Sequence, residues 1–330
     1  MLKVLVAYFS QTGNTKLYAE HIAKGVAEKA DCTLMDIRDV DNRDIKNYDL
    51  IGVGGPAIGA EADIVKRFVY SIPLTGGQMA FLFNSHGSLP RRYFPEAIRR
   101  MQDREFNVIG WQGFYATVNI QCFPSPYYTD GHPDEIDIAD AEQFGRDMVD
   151  RAERVANGEI ELIPEVPPLE PPKPYALPHT GKSDEEARGI HGDRRYDPTK
   201  CLFPKCHICM DNCPEGFIHF DEEKREFGSH KTICKTNECC YCELICPSGA
   251  IYITDDDIQY GLDFLHQVHD YFEGTLAQEE AEGKFRRLTP IEDIGWDTPY
   301  AARRANGEKP KKIRPTRVNK PNRSIKPSEQ

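Results

Sequence analysis

Short apolar runs punctuate the first half of the chain: Val4 to Phe9, Cys32 to Ile37, Leu50 to Val53, Met79 to Phe83 and Val108 to Trp111. Each has the length of a buried strand. Between the first two, Ala19, Ile22, Ala23, Val26, Ala27 and Ala30 recur at helical spacing and form one apolar face. Strands alternating with helices over residues 1–155 predict an α/β domain, a parallel sheet covered on both faces. Pro164, Pro167, Pro168, Pro171, Pro172, Pro174 and Pro178 then interrupt regular structure and mark a linker over residues 156–195.

After the linker the pattern changes to an internal repeat over residues 196–254. Cys213-Pro214-Glu215-Gly216-Phe217-Ile218-His219-Phe220 returns, 33 residues later, as Cys246-Pro247-Ser248-Gly249-Ala250-Ile251-Tyr252-Ile253. Two small pseudo-symmetric units are expected there. In residues 255–330, Leu262, Leu265, Val268, His269 and Phe272 predict one helix, followed by a basic tail.

Length and charge refine this division. A chain of 330 residues exceeds what one compact core usually serves. No apolar run approaches the roughly 18 residues that would span a bilayer as a helix. Met1 leads directly into the first strand with no signal-peptide pattern, so the expected location is the cytoplasm. The net charge is −12, yet residues 301–330 hold ten Lys and Arg against Glu308 and Glu329. An acidic body speaks against general nucleic-acid affinity. The basic tail is expected to dock on an acidic surface of its own body, of a second copy or of a partner.

Eleven cysteines without an export signal point to thiols kept for metal or redox work, not to disulfides. Nine of them lie between Cys201 and Cys246. Cys201, Cys206, Cys209 and Cys213 form C-x4-C-x2-C-x3-C-P, and Cys234, Cys239, Cys242 and Cys246 repeat that spacing. Thiolates in such loops suit the soft iron of a cluster. A zinc site built from Cys206, Cys209, Cys239 and Cys242 is the alternative, but it strands the other four. Cys240, Cys32 and Cys122 fall outside the repeat and read as packed thiols. Residues 196–254 resemble a bacterial-type two-cluster ferredoxin, with x4 where the common form has x2. The resemblance implies a small α+β domain holding two [4Fe-4S] clusters. It also implies cross-ligation, one cluster taking Cys201, Cys206, Cys209 and Cys246, the other Cys234, Cys239, Cys242 and Cys213.

The first strand ends in Ser10-Gln11-Thr12-Gly13-Asn14-Thr15, directly before the amphipathic helix. Backbone N–H groups and the positive end of a helix converge at such a point and suit a phosphate. The loop holds no Lys or Arg and no G-x-G-x-x-G, which favours a monoester held by neutral donors. It resembles the phosphate loop of flavodoxins. That resemblance implies a doubly wound five-stranded sheet in the order 2-1-3-4-5 and FMN as the cofactor. It places the flavin ring by Pro56, Ala57, Ile58 and Gly59 after the third strand, and by Asn84, Ser85, His86 and Gly87 after the fourth. The ring sandwich of aromatic side chains common in flavodoxins is missing at these positions. Phe114, Tyr115, Phe123, Tyr127 and Tyr128 follow the fifth strand as core or lid residues.

Together the two resemblances point to the flavodoxin–ferredoxin fusion proteins. They imply an electron carrier that relays between clusters and FMN and onward to a redox partner protein. The alternative is an FMN-dependent reductase of an organic substrate, fed by its own clusters.

Overall fold

In the computed structural model, residues 1–57, 61–90, 92–169, 194–214, 216, 218–221, 226–228 and 240–300 are described. Ile58, Gly59, Cys234, Cys239, most of the proline-rich linker and the basic tail lie outside the described residues. The chain divides into two compact units. One comprises Met1–Thr117 and Thr129–Pro172, the other Val118–Tyr128 and Lys173–Gln330.

The first unit is built on β1 (Lys3–Tyr8), β2 (Asp31–Asp36), β3 (Leu50–Pro56), β4 (Met79–His86) and β5 (Asn107–Tyr115). All neighbouring pairs are parallel, in the order β2-β1-β3-β4-β5. The expected strand number and order are therefore both present. Alternation along each strand divides the apolar side chains between two faces. Val4, Val6, Phe81 and Phe83 pack under α1 (Asn14–Ala27) and α4 (Glu135–Ala156) with Ile22, Val26 and Phe144. Leu5, Ala7, Val53 and Leu82 pack under α2 (Asp63–Ser71) and α3 (Tyr93–Gln102) with Val65, Phe68 and Ile98. Each of these side chains larger than alanine contributes about 1.5–3 kcal/mol through burial.

Two glycines let α1 and α4 touch. A Cβ on Gly25 would stand 1.9 Å from the carbonyl oxygen of Glu142, and one on Gly145 would stand 2.2 Å from that of Ile22. The start of α4 is fixed by a capping box, in which Asp134 accepts from the Ile136 and Asp137 N–H groups and Asp137 accepts from the Asp134 N–H.

In the second unit, short helices α5 (Ile208–Asn212) and α6 (Tyr241–Ile245) occupy equivalent places in the two sequence repeats. Each runs directly into the last cysteine of its motif, Cys213 or Cys246, and each repeat then turns on a glycine at φ 66°, Gly216 or Gly249. Strand β6 (Arg195–Tyr196) pairs antiparallel with β9 (Ile251–Tyr252), and β7 (His219–Asp221) with β8 (Glu226–Gly228). Internal symmetry in the sequence thus reappears as paired helix-and-strand elements.

The single helix expected from Leu262 to Phe272 is two. Helix α7 (Asp255–Gln267) ends at Val268, whose φ of −104° and ψ of 4° leave the helical range, and α8 (His269–Ala281) follows. Segment Val118–Tyr128 joins these elements through backbone bonds between Ser125 and Thr298, Pro126 and Gly295, and Phe123 and Tyr300. Among the described residues, no helix is long and apolar enough to cross a membrane.

Candidate functional site

The ends of β1, β3, β4 and β5 carry the polar residues of the first unit. Their strand order reverses between β1 and β3, where the connecting helices leave for opposite faces and open a crevice. Ser10, Asn14 and Thr15 are buried in the loop that leads into α1. Gly13, at φ 102°, takes a left-handed conformation that other residues adopt at a cost, and its N–H donates to Ser10 Oγ at 3.2 Å. No side chain caps the N-terminus of α1, so the helix offers its first-turn N–H groups and positive end to an anion.

Two long-range bonds pin this loop to the neighbouring strands. Thr15 Oγ1 and Ser85 Oγ at the end of β4 are 2.7 Å apart, and Asn14 Nδ2 donates to the Thr117 carbonyl just past β5 at 3.0 Å. The Ala57 N–H donates to the Ser85 carbonyl at 2.9 Å, which sets the chain after Pro56 beside the end of β4. Gln11, Thr12, Pro56, Ala57 and Gly87 are partly exposed around this crevice.

Asn84 and His86 are buried side by side, with His86 Nδ1 2.9 Å from Asn84 Oδ1. That pairing leaves Asn84 Nδ2 buried with no partner, a donor awaiting an acceptor. Gly113 on β5 makes the space, because a Cβ there would approach His86 Cε1 to 2.9 Å. Burial, and after it the neighbouring His132, pushes the His86 pKa down to about 3, so the ring is neutral at ordinary pH. Tyr115 packs on His86 with ring centroids 4.5 Å apart. Behind it stands His132, paired with Asp137 at 2.6 Å. His132, Asp137 and Thr117 were not among the sequence candidates. The Asp134–Asp137 capping spacing before α4 was the available signal for one of them.

Of the other aromatic residues after β5, Phe114 stacks on Tyr18 in the core of the first unit at 4.6 Å. Phe123, Tyr127 and Tyr128 pack within the second unit, where Tyr128 OH bonds His269 Nδ1.

In the second unit, Cys201, Cys206, Cys209 and Cys246 line one cavity, walled otherwise by residues such as Tyr196, Leu202, Ile208 and Pro247. The first three come from one motif and the fourth from the other. Cys213 and Cys242 are partly buried against the same apolar group. Burial, reinforced by Cys246, Cys206 and Cys201, pushes the Cys209 thiol up to about 12. For Cys246, burial acts in the same direction, but hydrogen bonds from Ile251, Ser248 and Ala250 outweigh it and hold the thiol below its ordinary value. Among the described residues, no three His, Cys, Asp or Glu side chains are grouped to hold a metal ion. Cys240 caps α6 in a left-handed conformation and is buried with Leu244, Tyr300 and Ile120. Cys122 is buried, and Cys32 lies partly exposed on β2.

A family model described as a flavodoxin domain matches residues 5–72. An uncharacterized protein of Methanocaldococcus jannaschii is 28% identical over 155 residues, which is 45% of this chain and 99% of that protein. Among solved structures, a flavodoxin from the domain Archaea is 21% identical with a TM-score of 0.37, covering 46% of this chain and 99% of its own. The two-electron reduced flavodoxin of Megasphaera elsdenii is 24% identical with a TM-score of 0.35, covering 46% and 98%. From the family match and the strand order β2-β1-β3-β4-β5, the N-terminal part of the chain is a flavodoxin-like domain.

Proposed function

We propose that the protein is an electron carrier in which FMN binds the first unit and two [4Fe-4S] clusters bind the repeat of the second, with electrons leaving to a redox partner protein. For FMN, the fit rests on the uncapped N-terminus of α1, the neutral donors Ser10, Thr12 and Thr15, and the orphaned Asn84 Nδ2. Ser10 to Thr15 would hold the phosphate, and Asn84 would donate to an acceptor on the ring. The neutral His86 ring fixes Asn84 Oδ1, which turns the amide nitrogen toward that role. When bound, FMN takes up two electrons and releases them singly, and each cluster carries one.

The observation that carries the reading is the convergence of Cys201, Cys206 and Cys209 with Cys246 from the other repeat on one cavity. Four thiols on one apolar wall are the soft donors that iron takes, although no three of them are grouped to hold a metal ion as they stand. Cys213 and Cys242 would serve the second cluster with Cys234 and Cys239. Anaerobic purification followed by metal, sulfide and flavin analysis tests the proposal. About eight iron, eight sulfide and one FMN per chain are expected. Stoichiometric zinc without sulfide, or FAD in place of FMN, would overturn it.

A further inference from the structure

The segment that leads into the thiol cavity is basic, against the net negative charge of the whole chain. Between residues 194 and 207 it carries Arg194, Arg195, Lys200 and Lys205 against a single acid, Asp197, within a chain of net charge −12. Arg194 turns inward to the buried Glu243, 3.3 Å away. Arg195, Lys200, Lys205 and His207 are exposed. Asp197 is itself engaged, 3.4 Å from Lys200 Nζ and accepting from Thr199.

Exposed apolar side chains neighbour these cations: Leu202 stands between Lys200 and Lys205 in the chain, and Tyr252 pairs with Arg195 across the β6–β9 ladder. Leu202 is 52% exposed, yet it also lines the cavity shared by Cys201, Cys206, Cys209 and Cys246. Tyr252 is 40% exposed, with Lys200 Nζ 5.8 Å from its ring centre. Exposed apolar side chains beside charged ones are the anatomy of a docking patch. Here Leu202 is also part of the wall of the proposed cluster site.

We infer that this face docks an acidic redox protein and passes electrons to it from the cluster held by Cys201, Cys206, Cys209 and Cys246. The inference rests on the cluster reading above. One electron moves per encounter: the cluster site is oxidised by one, the acceptor is reduced by one, and no bond forms or breaks. The cations select an acidic partner and speed its encounter, while Leu202 sets the close approach.

The test uses the full chain with an acidic plant-type ferredoxin as the probe. Binding is measured at low and high ionic strength, electron transfer is followed anaerobically, and iron is counted in every sample. Lys200→Glu with Lys205→Glu should weaken binding about tenfold at low salt, slow electron transfer in parallel, and leave the iron content and the rate with a neutral quinone unchanged. Leu202→Ser should weaken binding at both ionic strengths. Unchanged binding in the charge-reversal variant overturns the inference. So does loss of a concentration-dependent self-association in place of ferredoxin binding, which makes the face a contact between copies of this chain. Salt-sensitive binding by a protein that carries no iron sinks the cluster reading and the electron step, while the docking face stands.

Discussion

Thr15 on α1 and Ser85 on β4 share a 2.7 Å hydroxyl contact across the crevice at the strand ends. The loop that leads into α1 is thereby tied to the strand that carries Asn84 and His86. A hydroxyl that bonds another protein group holds its loop in place before any ligand arrives.

Thr15→Val removes this bond while keeping the shape of the side chain. The expected cost is about 1 kcal/mol of stability, with FMN binding weakened by roughly 1 to 3 kcal/mol where a bond to charged phosphate is also lost. Ser85→Ala should reproduce the stability cost with a smaller effect on FMN. Chemical denaturation and flavin fluorescence titration measure the two. Equal FMN affinity in Thr15→Val and the unaltered protein would place the phosphate elsewhere.

The contact between α1 and α4 permits no side chain at Gly145. Gly145→Ala forces a Cβ against the Ile22 carbonyl, and backbone cannot give way as a flexible side chain can. A loss of about 1 to 3 kcal/mol is expected from overpacking, beyond the gain in helix propensity. A thermal melt of the protein reads this directly, and a melting temperature at or above that of the unaltered protein would show that the helices can separate.

His86 makes the first unit acid-sensitive. Its pKa is about 3 in the folded chain against an ordinary 6.5, so in that window the unfolded state binds the extra proton. Stability is complete above about pH 6.5 and falls by a few kcal/mol as pH drops toward 3. His86→Gln cannot take up a proton, so the difference in stability between variant and native protein should change across this window and stay constant above it. Parallel curves for the two from pH 7 to pH 4 would contradict a buried neutral His86.

The central strands β1, β3 and β4 could be read from the sequence because parallel strands buried on both faces are written as unbroken apolar runs, while the partly exposed edge strands β2 and β5 showed through mixed runs and their place in the alternation. The turn from Ser10 to Thr15 was legible as well, because it stands where a strand meets an amphipathic helix. The break at Val268 was not, since Leu265 and Phe272 keep helical spacing on both sides of it. Nor was the membership of Phe123, Tyr127 and Tyr128 in the second unit, because an apolar pattern states that a side chain is buried and not in which core. The same limit hid the partnership of His132 with Asp137 and the orphaned amide of Asn84, which depend on how distant strands come together.

The cysteines were the reverse case, fully written in spacing, with the choice of partners left to the fold. Cys246 is the decisive residue, since it belongs to the second motif in sequence and shares a cavity with the first. Electron paramagnetic resonance of the reduced, anaerobic protein, with iron counted, tests the proposed assignment of each cysteine to a cluster. Cys246→Ala should alter the same signal as Cys206→Ala and spare the one altered by Cys242→Ala. A Cys246→Ala spectrum that matches Cys242→Ala would mean that each motif binds its own metal alone, and the cross-ligated two-cluster account would be wrong.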